Sequence, residues 1–104
     1  MYEQMSIFDW MRPEYPDIHD ISEADAAKIV GDAIGMTFKH DGERWCARIK
    51  NYLIDLEYDH YDLEDNHDLF LGIGYDNKKD HSGGGAPTDS IEEAIAYIKR
   101  RIKA

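Results

Sequence analysis

Leu69-Phe-Leu-Gly-Ile-Gly-Tyr75, then a glycine-rich stretch, then Asp89-Ser-Ile-Glu-Glu-Ala-Ile-Ala-Tyr-Ile-Lys-Arg-Arg-Ile-Lys103 decide the fold class. Apolar residues alternate at Leu69, Leu71, Ile73 and Tyr75, the period of a half-buried strand. They recur at helical spacing at Ile91, Ala94, Ile95, Ile98 and Ile102, which makes an amphipathic helix. Each surface needs the other to leave water, so the expectation is α+β.

Working back from that strand, Met36-Thr-Phe-Lys-His-Asp-Gly-Glu-Arg-Trp-Cys-Ala-Arg-Ile49 contains Asp41-Gly42, a dipeptide suited to a two-residue hairpin turn. Counting outward from a two-residue turn sets Phe38 against Trp45 and Met36 against Ala47 on one face, with Lys39 against Arg44 and Thr37 against Cys46 on the other. A second turn at Lys50-Asn51 sets Ile49 against Tyr52, Ala47 against Ile54 and Trp45 against Leu56, again apolar on apolar, with Arg44 meeting Glu57 outside. Leu69–Tyr75 then completes a four-stranded antiparallel meander, with Gly72 and Gly74 on its outer face.

A first helix starts at Ser22, an N-cap followed by Glu23 and Asp25 in the turn where the helix dipole favours negative charge. It buries Ala26, Ile29, Val30, Ala33 and Ile34 and ends at Gly35, a residue at ease with positive φ. The expected order is helix, four strands, helix, with both helices on the face bearing Phe38, Trp45, Ile54, Leu56 and Ile73. Residues 1–20 read as an arm, because Tyr2, Phe8, Trp10 and Tyr15 sit among acids and Pro13 and Pro16 interrupt any regular element. Residues 21–104 read as a single domain.

Acidic residues number 22 against 12 Lys and Arg, for a formal net charge of -10. A surface of this sign repels phosphates, so direct nucleic-acid binding is disfavoured. Cys46 is the sole cysteine and no Cys/His cluster has zinc-site spacing. No basic leader precedes an apolar run, and no segment has membrane-spanning length. A cytoplasmic protein without a cofactor, metal, membrane partner or small-molecule substrate is expected.

Gly83-Gly84-Gly85 ahead of a helix invites a phosphate-binding reading. No Lys-Ser/Thr pair follows, Asp89, Glu92 and Glu93 already bring negative charge to that helix start, and the preceding strand is antiparallel. A crossover leading to a capped helix, with Ser90 and Glu93 at capping-box spacing, fits better. Asp55, Glu57, Asp59, Asp62, Glu64, Asp65 and Asp68 form an acidic run that lacks the calcium-loop pattern. The run reads either as a solvated strand face with a polar loop, or as a negative surface that imitates phosphates and occupies a basic groove on another protein. Neither Cys46 nor any carboxylate pair has the partners that catalysis needs, so no enzyme is expected.

Gln4-Met-Ser-Ile-Phe8 resembles the bacterial sliding-clamp-binding peptide, whose common form is Gln-Leu-Ser/Asp-Leu-Phe. The resemblance implies that Gln4 hydrogen-bonds through its amide, Met5 rests on a shallow apolar patch, Ser6 is a small spacer, and Ile7 and Phe8 fill a deep pocket of the clamp. The alternative is an arm whose Ile7, Phe8 and Trp10 fold back on the helices. In size and charge the whole chain also resembles accessory proteins of phages and mobile elements, including anti-CRISPR and anti-restriction inhibitors that mimic DNA. That likeness implies an inhibitor blocking the nucleic-acid channel of a nuclease.

Overall fold

A computed structural model describes residues 15–102. A 3-10 turn, Ile18–Asp20, leads into helix α1, Glu23–Ile34. Five strands follow: β1 Lys39–His40, β2 Trp45–Ile49, β3 Tyr52–His60, β4 Leu69–Asn77 and β5 Ser82–Thr88. Helix α2, Ile91–Ile102, ends the described chain. The strands form one antiparallel meander in sequence order, so the fold is α+β with one sheet and two helices.

Helix α1 begins and ends where its residues demand. The Ser22 hydroxyl accepts the Asp25 amide at 3.1 Å, and Gly35 closes the helix at φ 91°. Helix α2 is capped reciprocally: Ser90 Oγ accepts the Glu93 amide, while the Glu93 carboxylate reaches back to the Asp89 amide rather than that of Ser90. Its last turn sets Arg101 over the Tyr97 ring at 4.8 Å, placing a cation at the negative end of the dipole.

The second turn has the expected register, with Ile49 facing Tyr52, Ala47 facing Ile54 and Trp45 facing Leu56. Lys50 takes φ 55° there. At Asp41-Gly42 the pairing differs from expectation: Lys39 faces Cys46 and His40 faces Trp45, so the loop spans four residues instead of two. The cause is the Asp41 carboxylate, whose Oδ1 accepts the amides of Glu43 and Arg44, both at 3.0 Å. An Asx turn of this kind offers the backbone a partner that a tight hairpin lacks. The slip is two residues, so every side chain keeps its face.

The four-stranded expectation is corrected to five strands. The glycine stretch, expected as a crossover, is β5, paired along β4 from Leu71↔Thr88 to Asn77↔Ser82. Asn77 and Asp80 build the preceding turn, accepting the amides of Lys79 and Ser82 at 2.9 Å each. As an edge strand, β5 also tolerates Pro87.

Both helices cover one sheet face, where Ile54, Leu56, Leu71 and Ile73 meet Ala26, Val30, Ile91, Ala94 and Ile98 in a single buried cluster. Each large aliphatic side chain buried there stabilises the fold by roughly 1.5–3 kcal/mol before entropy is counted. Ile18, within the stretch expected as arm, is 1 % exposed and belongs to this core. The Tyr58 hydroxyl fastens that segment, lying 3.0 Å from the carbonyls of both Ile18 and Ile21.

Candidate functional site

The fold divides the seven acids of the run into three groups. Asp55, Glu57 and Asp59 occupy alternate positions on β3, so all three project from the face opposite the helices. Asp62, Glu64 and Asp65 sit exposed in the β3–β4 loop. Asp68, at the base of that loop, is tied to the 3-10 turn.

Asp55 is half-buried. Arg44 Nη1 lies 3.8 Å away, and burial pushes the Asp55 carboxyl up while Arg44 pulls it back. Its carboxylate lies over Gly74, where an added Cβ would stand 2.7 Å from Oδ1. Glu57 faces Gly72 across the ladder, and Asp59 accepts the amide of His60 at 2.8 Å.

The loop is an ordered extension of the hairpin. Tyr61 N–H donates to the Asp68 carbonyl at 3.0 Å, and Leu63 and Asn66 exchange backbone bonds at 3.2 and 3.1 Å. Glu64 and Asp65 form the tip, beside Leu63, which is 57 % exposed. The Tyr61 hydroxyl donates to Asp89 at 2.8 Å, bracing the loop against the start of α2 and holding the phenol above its usual pKa.

Asp68 has a structural partner invisible to local pattern. Its Oδ1 accepts from His19 Nε2 at 2.8 Å, while Asp17 Oδ1 stands against His19 Nδ1. An imidazole donating at both nitrogens is an imidazolium, and the two carboxylates, Asp17 first, raise His19 to about 9. A second such linkage joins Glu23 to the sheet. Its carboxylate accepts the indole N–H of Trp45 at 3.1 Å and the amide of Tyr58 at 2.8 Å, just beyond the end of the β2 ladder.

Cys46 Sγ donates weakly to Asp41 Oδ2 at 3.5 Å, and burial followed by that carboxylate pushes its thiol up, away from the reactive thiolate. Among the described residues no group of three or more His, Cys, Asp or Glu is gathered closely enough to hold a metal ion. None of the described helices is long and apolar enough to cross a membrane. Gln4, Met5, Ser6, Ile7 and Phe8 lie outside the described residues. Comparison of the chain with protein-family models, curated proteins and solved structures gives no match.

Proposed function

We propose that this chain is a non-enzymatic protein-interaction module of a bacterial cytoplasm, of phage or mobile-element origin, that docks on the DNA sliding clamp through Gln4–Phe8. The observation that carries the reading is the peptide Gln4-Met-Ser-Ile-Phe8 itself. Its setting supports it: residues 15–102 cover the inner sheet face with their own helices, and the chain is fastened at His19 and Tyr58, beyond the peptide. The folded body then acts as spacer or second surface.

The test is binding to purified clamp, read by calorimetry or surface plasmon resonance. Replacing Ile7 and Phe8 together by Ala abolishes binding on this reading. Unchanged affinity in that double variant, or no binding by the intact chain, overturns it.

A second reading, an inhibitor whose acids block the basic channel of a nuclease, draws on the ordered tip bearing Asp62, Glu64 and Asp65. Charge spacing weighs against it on the sheet. Alternate residues of β3 lie about 6.7 Å apart, whereas one DNA strand carries a charge every ~3.4 Å along its axis. The strand therefore reaches only half that density, and Arg44 offsets Asp55. Inhibition that weakens steeply with salt and is lost on reversing Asp59, Asp62 and Asp65 to Lys would favour this second reading.

A further inference from the structure

The sheet face turned away from the helices holds a trough where side chains are missing. Glu57 and Asp55 point outward from β3, and their direct neighbours on β4 are Gly72 and Gly74. Pro87 and Gly85 come next on β5. The depression measures about 260 Å³, and Phe70, leaning on Tyr61 with ring centroids 4.7 Å apart, stands at its side.

Two of these glycines have reasons inside the molecule. A Cβ on Gly74 would strike the Asp55 carboxylate at 2.7 Å, and one on Gly85 would stand 2.9 Å from the Ile73 carbonyl oxygen. Gly72 has no such reason. A Cβ there would meet the Phe70 ring at 3.4 Å and the Glu57 carbonyl at 3.7 Å, both ordinary contacts. Glycine inside a strand costs roughly 0.5–1 kcal/mol relative to alanine. A position that carries this cost without steric need keeps space for something else.

Charge specifies the occupant. The cross-strand neighbour is where a carboxylate on a sheet ordinarily finds its partner; on the β4 side Glu57 finds only the hydrogen atom of Gly72, and Arg44, expected against Glu57 at the end of β2, pairs with Asp55 instead. Among the described residues Glu57 forms no ion pair, whereas Asp55 has Arg44.

We propose that the trough is a docking surface for an extended basic segment of another protein, which lays an arginine along Gly72 and brings the guanidinium to Glu57. The aliphatic stem packs on the backbone of Gly72 and on Pro87, replacing water over a floor without side chains. The planar guanidinium forks onto the carboxylate and lies within reach of the Phe70 ring, and its weak hydration makes arginine a better fit than lysine. An extended partner points alternate side chains at the sheet, so every second residue is read. The surface is independent of Gln4–Phe8, and its test uses no clamp.

The test titrates the full chain with a peptide of alternating alanine and arginine at low salt, followed by amide chemical shifts. The expected result is shift changes centred on Glu57, Gly72 and Gly85. Gly72→Val, which fills the trough with a residue favoured in strands, weakens binding at least about tenfold while the melting temperature holds or rises. Should that variant fail to fold, Glu57→Gln, an outward-facing change of equal size, decides in the same assay by the same loss. A peptide of alternating alanine and lysine binds more weakly than the arginine peptide. Shift changes centred on Asp62–Asp65 overturn the proposal, as does wild-type affinity in the folded Gly72→Val chain, or in Glu57→Gln where it takes the first variant's place.

Discussion

His19 Nε2 lies 2.8 Å from Asp68 Oδ1, joining the 3-10 turn to the far end of the β3–β4 hairpin across 49 positions of sequence. With Asp17 on the other ring nitrogen, His19 is a charged clasp at the root of the N-terminal segment.

The clasp gives the domain a pH-dependent element. His19 is raised from 6.5 to about 9, so its stabilisation is fully present below 6.5 and is lost as pH rises through about 9. Asp17 and Asp68 are held below their usual value by His19, so their share is present above 3.8 and is lost as pH falls through the lowered values. Hydrogen exchange at Ile18–Asp20 is therefore expected to quicken between pH 6.5 and 9 beyond its intrinsic pH dependence. His19→Gln removes that excess. A His19 ring that titrates near 6.5 by NMR would show that the clasp does not form.

Gly31 lies beneath the chain that leaves α1. A Cβ on it would stand 2.5 Å from the Met36 carbonyl oxygen and 3.3 Å from the Phe38 ring. Alanine raises helix propensity by about 1 kcal/mol, but forcing a methyl against backbone costs about 1–3 kcal/mol. The steric cost prevails, because the obstacle is main chain rather than the end of a flexible side chain. Gly31→Ala is expected to lower the urea midpoint, and a raised midpoint would mean that residues 36–38 yield freely.

The register from Trp45↔Leu56 to Ile49↔Tyr52 was readable because apolar residues meet only in one parity, and parity is local information. Asp41-Gly42 has two local solutions of the same parity, and the Asx bonds that choose the longer loop depend on a side-chain rotamer. β5 was hidden because glycine carries almost no strand signal; its pairing comes from the long edge that β4 presents. The acids of the candidate surface were readable as residues. Their division was not, since His19, Arg44 and the glycines opposite Asp55 and Glu57 come from distant positions.

The loop after β1 depends on a single carboxylate. Asp41 is held at about 2 by the Arg44 and Glu43 amides, so its contribution is present above 3.8 and is lost as pH falls through about 2. Asp41→Asn keeps an acceptor for both amides and is expected to retain slow exchange at Glu43 and Arg44. Asp41→Ala exposes both amides to solvent. Equal exchange in the two variants would refute the role of this side chain.

Glu23 joins α1 to the sheet at two points, and its loss acts on both. The indole N–H of Trp45 and the amide of Tyr58 are part-buried, and among the described residues neither donates to a side chain other than this carboxylate. An unsatisfied donor costs about 1–3 kcal/mol, so Glu23→Ala is expected to lower unfolding free energy by that order or somewhat more. Glu23→Gln retains one oxygen that can serve only one donor well, and its loss falls between wild type and alanine. Urea denaturation measures the ranking, while amide exchange at Tyr58 separates the two bonds, quickening most in the alanine variant. Were Glu23→Ala as stable as wild type, solvent would be reaching both donors and the start of α1 would be held by packing alone.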